Sequence, residues 1–318
     1  MRRPIFGLAL VCFALSAIAQ PWTPQRHVEL IVPNAPGGAL DITARSMHRV
    51  LQDQKLLPVT SAVVNRAGGE HAVAYTFLSQ RTGDAHFVSL ASPVLLANHI
   101  AGRMPLTYTD FTPVATVMTE YYLFVVRADS PLKSGRDFVD ALKKRPESLA
   151  LATATVQSRI SAGLVLQSAG IDIKPVKMVV QAGGQQVPAL LGGHLDVSIG
   201  PPGQYLAHIE NGTLRVIAHS APKRLGGALA SAPNWAELGH KATYETWRAV
   251  IAPKGITPAQ VAYWEDIMRK VAESESFRAA ARRYQSEPIF RDAAETRRHM
   301  EVQYEEAKNI MTYLGLVK

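Results

Sequence analysis

The residues most able to do chemistry in this sequence sit where apolar, strand-like runs give way to helical ones. The first such junction is Pro33-Asn34-Ala35-Pro36-Gly37-Gly38, with Asp41 following. Gly37 and Gly38 let the backbone approach a ligand closely. The helix behind them offers free N–H groups and the positive end of its dipole, a ready site for an anion. A tight Pro-Gly-Gly turn with no ligand accounts for the same residues. Asp41 falls where a carboxylate caps a helix start; reaching into a cleft to meet an amine is the alternative. Comparable junctions recur at Ala91-Ser92, at Thr153-Ala154-Thr155 with Ser158, at Ala182-Gly183-Gly184 with Gln185, and at Gly200-Pro201-Pro202-Gly203 with Gln204. Turns use these residues everywhere, so each alone says little. Together they are neutral and share one kind of position, which points to a polar cleft built from N–H and O–H donors.

Catalytic sets are not legible. There is no Gly-x-Ser-x-Gly elbow, no His-Glu-x-x-His pair, and neither of the glycine patterns that cradle nucleotide phosphates. His99, His194, His208, His219 and His240 are scattered and read as ordinary histidines. A hydrolase built on Ser92 or Ser158 needs a positioned histidine base, and no motif supplies one. Tyr121 and Tyr122 could line a hinge, although aromatics in strands are more often core. The expectation is a protein with no catalytic residues, no metal and no cofactor.

The start of the chain reads as a targeting signal. Arg2 and Arg3 precede an apolar run from Ile5 to Ala19 that closes on the small-x-small pattern Ala17-Ile18-Ala19. This is a secretory signal cut before Gln20; a spanning helix needs about 20 apolar residues. A lipid anchor at Cys12 conflicts with Val11, where a small residue is required. Cys12 is the one cysteine, so the mature chain has no disulfide, no thiol nucleophile and no thiolate metal site. An exported chain of this kind rests on its core alone, which a length of 318 residues permits. The net charge of +8 would suit nucleic acid, membrane surface or small anions. The densest basic cluster, Arg278 with Arg282-Arg283, is interleaved with acids on a helix face and reads as solvated.

The elements that must position the junctions alternate in type. Strands are expected at Val28 to Val32, Val59 to Val64 and Phe87 to Ala91, with helices at Ala39 to Gln54 and Ala72 to Gln80. Val114 to Val117 and Tyr122 to Val126 read as two strands separated by Met118 to Tyr121. A second unit alternates from the helix Gly135 to Lys144 up to the strand Val216 to His219, and Thr246 to Ile251 reads as the return strand. Beyond Thr257 the pattern is almost wholly helical. The arrangement that fits is an α/β fold of two lobes with a hinge of two crossing segments. Residues 1–19 are the signal, 20–120 and 246–318 one lobe, and 121–245 the other. Open α/β sheets bind ligands outside the carboxyl ends of their strands, so two such lobes enclose a cleft.

An ordered set of motifs runs along the chain. It opens with Val28-Glu29-Leu30-Ile31-Val32-Pro33 running into Pro36-Gly37-Gly38-Ala39-Leu40-Asp41, with Ala44-Arg45 behind it. It continues through Asn65-Arg66, Asp110-Phe111, Pro113-Val114, Leu190-Leu191-Gly192-Gly193 with Asp196, Gly212-Thr213-Leu214-Arg215-Val216, Trp247, and Ala252-Pro253-Lys254-Gly255-Ile256-Thr257-Pro258. In this set the chain resembles the Bug, or TctC-like, extracytoplasmic receptors of tripartite tricarboxylate transporters. The resemblance implies a type II periplasmic-binding fold and a small carboxylate ligand: a di- or tricarboxylate, an aromatic acid or an amino acid. It implies that the Pro36-Gly37-Gly38 loop holds one carboxylate. Ser92, Thr153, Thr155, Ser158, Gly183, Gly184, Pro201 and Gln204 would then form the walls.

This sequence departs from the family at Asn34, where an aromatic is usual, and at Glu70-His71, which replace small residues in a glycine-rich loop. It also departs at Gln181-Ala182-Gly183-Gly184, which lacks the usual aromatic and lysine. An unpaired Glu70 would repel a second carboxylate. It either meets a ligand amine or points with His71 to solvent.

The expected protein is a monomeric periplasmic receptor that closes on its ligand and passes it to membrane transporter subunits, with no nucleic-acid partner. A ligand-sensing adaptor for a membrane signalling kinase is the alternative, and an exported serine hydrolase a more remote one.

Overall fold

The computed structural model describes residues 22–153, 155–181 and 183–317. The expected signal at residues 1–19, with Cys12, lies outside the described residues. The chain begins β1 (Val28–Val32), α1 (Ala39–Asp53), β2 (Ser61–Asn65), α2 (Ala72–Ser79), β3 (Phe87–Ala91), α3 (Val94–Ile100) and β4 (Phe111–Tyr121). It continues β5 (Leu123–Arg127), α4 (Gly135–Lys144), β6 (Ala150–Thr153), α5 (Val156–Ser168), β7 (Lys177–Val180), α6 (Gly183–Leu191), β8 (Val197–Gly200), α7 (Leu206–Glu210) and β9 (Leu214–His219). It ends β10 (Glu245–Pro253), α8 (Pro258–Glu273), α9 (Glu275–Arg283), β11 (Glu287–Arg291) and α10 (Ala293–Tyr313).

These strands form two mixed sheets, ordered β2-β1-β3-β10-β4-β11 and β7-β6-β8-β5-β9. β1 pairs in parallel with β2 and β3, whereas β10 runs antiparallel to β3 and β4. In the second sheet β6 is parallel to β7 and β8, and β5 is antiparallel to β8 and β9. Parallel strands joined through helices must be covered on both faces, and β1 is buried at four of its five positions. Met47 of α1, Trp264 of α8 and Phe277 of α9 pack into one apolar core beside the first sheet. The starts of the late helices are encoded locally. Thr257 caps α8 by accepting the Gln260 N–H, with Pro258 at the first helical position.

The two sheets are one continuous chain at their junction. β4 leaves the first sheet and becomes β5 of the second with only Tyr122 between them. The expected break at Met118 to Tyr121 is absent. Those residues continue β4 and pair with β10, Tyr121 opposite Glu245 and Glu120 opposite Thr246. The polar Thr119 and Glu120 read as a gap, yet both are buried. The return passage is stitched to the outgoing one by Ser220, whose hydroxyl accepts the Tyr122 N–H at 2.9 Å and donates to the Tyr244 carbonyl at 2.6 Å.

Two elements were not expected. α3 follows Pro93 directly, and β11 interrupts the helical tail as an edge strand against β4. An edge position tolerates Pro288, which otherwise reads as a strand breaker. α10 then packs on α3, on β4 and on α5 of the second unit.

Candidate functional site

The first junction is a closed polar knot. Gly37 has φ +80° and Gly38 is the α1 N-cap. A Cβ at Gly38 would lie 2.9 Å from the Asn34 Cβ and 3.1 Å from the Ala35 carbonyl. The loop's own fold therefore requires this glycine. Asp41 does not cap α1 in the usual way. It reaches back one residue further, and its carboxylate accepts the Gly37 N–H at 2.9 Å, the Arg45 Nε at 2.8 Å and the Asn65 amide at 2.8 Å. Asn65 also donates to the Asn34 carbonyl at 2.9 Å. Burial opposes ionisation of Asp41, but the Arg45, Gly37 and Asn65 hydrogen bonds outweigh it and hold the carboxyl below its usual range. The Gly37 amide is thus engaged by the chain's own carboxylate, and the Gly38 amide donates to Ala35. Pro36 is exposed on the outside of this turn. Asn34 keeps a buried side-chain oxygen with no partner.

After β2 the backbone turns left-handed at four successive residues, Gly68, Gly69, Glu70 and His71. Glycines adopt this conformation freely; Glu70 at φ +49° and His71 at φ +81° do so with strain. The Glu70 carbonyl accepts the Asn98 amide at 2.6 Å, and its carboxylate pairs with Arg103 while remaining 61% exposed. The two residues part company here: Glu70 faces solvent with a cation beside it, and His71 turns inward. The His71 imidazole sits edge-on to Tyr75, and burial pushes its pKa down to about 4 against the opposing pull of Glu70. Its Nδ1 has no partner. Ser92, at the end of β3, is buried and accepts the Val94 N–H.

In the second unit Thr155 and Ser158 are a reciprocal cap on α5. The Thr155 hydroxyl accepts the Ser158 N–H at 3.3 Å, the Ser158 hydroxyl accepts the Thr155 N–H at 3.1 Å, and it lies 2.8 Å from the Thr155 carbonyl, to which it donates. No histidine bonds Ser158 or Ser92 among the described residues. Thr153, fully buried at the end of β6, leaves its hydroxyl without a partner. Gly183 and Gly184 open α6. Pro201 precedes a short turn from which Gln204 donates to the Gln186 side chain at 2.7 Å. Gln186 also accepts from Tyr205, which shares a 2.7 Å hydrogen bond with Ser198. The other end of the Gln186 amide is buried without a partner.

A cavity of about 380 Å3 lies between the two units. Glu70, His71 and Arg103 border it from the first; Thr155, Gln157, Arg159 and Val180 border it from the second. Val94 and Ala97 of α3 and Ala101 just after it, with Met311 and Leu316, complete an apolar wall. Of the residues expected at the site, it brings together Glu70, His71 and Thr155. Asn34, Pro36, Gly37, Gly38, Asp41, Ser92, Thr153, Ser158, Pro201 and Gln204 lie off its wall.

Sequence reasoning missed Gln157, Arg159, Gln186 and Arg103. Gln157 carried a signal, since it stands in the first turn behind the Thr155 cap and so at a strand's carboxyl end. Among the described residues no group of His, Cys, Asp and Glu is placed to hold a metal ion. No described helix is long and apolar enough to cross a membrane.

Comparison with known proteins places this geometry in context. The sequence model of the TctC family, described as "Tripartite tricarboxylate transporter family receptor", matches residues 44–316. Protein BugT of Bordetella pertussis is 27% identical over 97% of this chain and 94% of its own length. A TctC solute-binding protein from Polaromonas superposes with a TM-score of 0.79 at 23% identity, covering 91% of this chain and 99% of that one. A Rhodopseudomonas palustris protein solved with adipate gives 0.77 at 23% identity, covering 92% and 98%. Another from that organism, solved with malate, gives 0.72 at 20% identity, covering 90% and 99%. These likenesses establish the two-lobe periplasmic-binding fold.

Proposed function

Because this chain belongs to the tripartite tricarboxylate transporter receptor family, whose members are solute receptors and not enzymes, we propose that it captures a small carboxylate by closing two lobes and presents it to membrane transporter subunits. The lobes are residues 20–120 with 246–318, and residues 121–245. The site of action is the periplasm, reached through cleavage of the signal.

One observation carries this reading. Buried polar groups without partners occur in both units, and two of them, His71 and Gln157, line the cavity between them. These groups include Asn34 and His71 on one side, and Thr153, Gln157 and Gln186 on the other. Burying an unsatisfied polar group costs about 1–3 kcal/mol, so unmet groups facing one cavity from both units favour a ligand that supplies the missing bonds. Gln157 and Gln186 each leave an amide N–H unmatched, and N–H donors suit a carboxylate. Relatives of this fold were solved with malate and adipate. The Gly37 amide, held by Asp41, acts in this scheme by fixing the loop, and the ligand is gripped by side-chain donors. The pairing of Glu70 with Arg103 removes the motive for an amine-bearing ligand.

A thermal-shift screen of the mature protein against mono-, di- and tricarboxylates, aromatic acids and amino acids tests this. A ligand at 100 times its dissociation constant adds about 2.7 kcal/mol and raises the melting temperature. A screen in which no acid shifts the melt overturns the proposal.

A further inference from the structure

We infer that the outer face of α1 is a docking surface for an acidic polypeptide segment, carried by the membrane subunits that would take ligand from this receptor. The partner's identity rests on the receptor reading; its chemistry rests on two adjoining grooves. One, of about 380 Å3, lies between α1 and β2. The other, of about 320 Å3, lies between α1 and α9. Arg45 and Arg49 line both and form the ridge that separates them. His48 adds to the first groove, and Arg283 and Tyr284 to the second.

The charge on this face is not answered from within the chain. Neither groove has an Asp or Glu among the described residues that line it. Arg45 is held by Asp41, but Arg49 and Arg283 have no ion pair and no hydrogen bond among the described residues. Other exposed arginines do have a carboxylate at hand: Arg103 has Glu70, Arg127 has Asp129 and Arg224 has Glu237. The basic cluster expected to be solvated divides in the same way, since Arg282 pairs with Glu275 while Arg283 lines the groove. Arg45 and Arg49 stand one turn apart on α1, a spacing at which like charges repel and the helix gains nothing. An anionic partner relieves that repulsion.

The shape and the residue types favour a polypeptide over a lipid surface. A flat layer of headgroups would meet the ridge and leave both grooves empty, whereas the side chains of a docked segment fill them. Guanidinium groups take carboxylates in a two-point grip. Tyr284 is 40% exposed at the end of the second groove, and Arg and Tyr are the residues that gather in protein interfaces. Tyr284 also stands at the border of the lobes: a Cβ at Gly203 of the second lobe would lie 3.6 Å from its ring. A segment seated on Tyr284 therefore touches a residue that itself touches the other lobe, which suits a partner that must tell a closed receptor from an open one. Single surface ion pairs contribute only about 0.2–1 kcal/mol, so the docking uses several together and weakens with salt.

The test is fluorescence anisotropy of a labelled, amidated glutamate decapeptide with the mature protein at low salt, beside its glutamine counterpart. The glutamate peptide should bind and the glutamine peptide should not. Arg49→Glu with Arg283→Glu should weaken binding by about tenfold or more. Arg297→Glu with Arg298→Glu makes the same change in net charge at a groove whose wall includes Glu265, and should leave the affinity unchanged. No binding, binding that survives the first pair of changes, or an equal loss from both pairs overturns the inference. Vesicles of phosphatidylglycerol and phosphatidylcholine in equal parts are the second probe; if they bind through Arg49 and Arg283, the face belongs to a membrane surface and the polypeptide is wrong. Melting-temperature shifts with small acids should persist in the Arg49 and Arg283 variant, which shows that it is folded. Those shifts are read separately, so a failed acid screen removes the receptor reading, and a failed peptide titration removes only this surface.

Discussion

The Arg248 guanidinium donates to the Glu120 carboxylate at 2.7 Å across the two strands that join the lobes, with both side chains less than a tenth exposed. Arg248 also donates to Thr43 of α1 at 2.8 Å, and Glu120 accepts from Ser286. A pair so enclosed is costly to break, because the survivor is left as a buried charge. Arg248→Ala should therefore destabilise the protein by about 3–5 kcal/mol, read from denaturant midpoints. The double change Arg248→Met with Glu120→Gln should recover most of it. If the double variant is as unstable as the two losses summed, the pair is not coupled and the interpretation fails.

Ser220 is the second joint between the crossing segments. Ser220→Ala strips a partner from the Tyr122 N–H and the Tyr244 carbonyl together, and the site is fully buried. The expected loss is about 1–3 kcal/mol for each stranded group, seen as a lower melting temperature. An unchanged melt would show that the backbone closes the gap by itself.

Asp41 gathers Gly37, Arg45 and Asn65. Asp41→Asn replaces an acceptor oxygen with a donor and removes the charge facing Arg45, so we expect about 1–2 kcal/mol of destabilisation together with weaker carboxylate binding, as the loop loosens. Binding at full strength with reduced stability would confine Asp41 to a scaffolding role.

Stability should fall in acid in two stages. His71 and His219 are buried, and burial pushes each down to about 4. In the unfolded chain they titrate near 6.5, so the unfolded state binds more protons between those values. Stability declines as pH falls from about 6.5 to about 4, by at most roughly 3 kcal/mol for each histidine. Glu245 behaves in the other sense. Burial raises its pKa, but hydrogen bonds from His299 and Arg291 prevail and set it near 2. Its contribution is complete above the ordinary carboxylate value near 4.5 and is lost as pH falls toward 2. Chemical denaturation at a series of pH values should show the first decline, and His219→Gln should remove only the His219 share of it, leaving that of His71. A flat profile between those limits would contradict the burial argument.

Much of the fold was legible because its strands and helices carry their own periodicity. β1 is almost wholly apolar, α1 shows Leu40, Ala44, Met47 and Leu51 on one face, and Thr257-Pro258 announces α8. What escaped was decided by distant partners. Thr119 and Glu120 looked like a gap because their companions Glu245 and Arg248 lie on another strand. Glu287–Arg291 was absorbed into a tail read as almost wholly helical, because Pro288 is tolerated in a strand only at an edge, and edges are a property of the whole sheet. The site divides in the same way. Glu70 and His71 stood out because they occupy positions where glycine is expected. Gln157 and Arg159 did not, since a polar residue on a helix reads as solvated until α3 and α10 are seen to cover it.

Helix α10 has a mechanical consequence. It rests on α3 and β4 and also touches α5, where a Cβ at Gly163 would come within 3.0 Å of Leu314 and 3.2 Å of Ile310. Wide separation of the lobes would pull α5 off this support and wet apolar surface, at about 25 cal/mol for each Å2. The apolar contact between α10 and α5 therefore works as a clasp that opposes wide separation of the lobes.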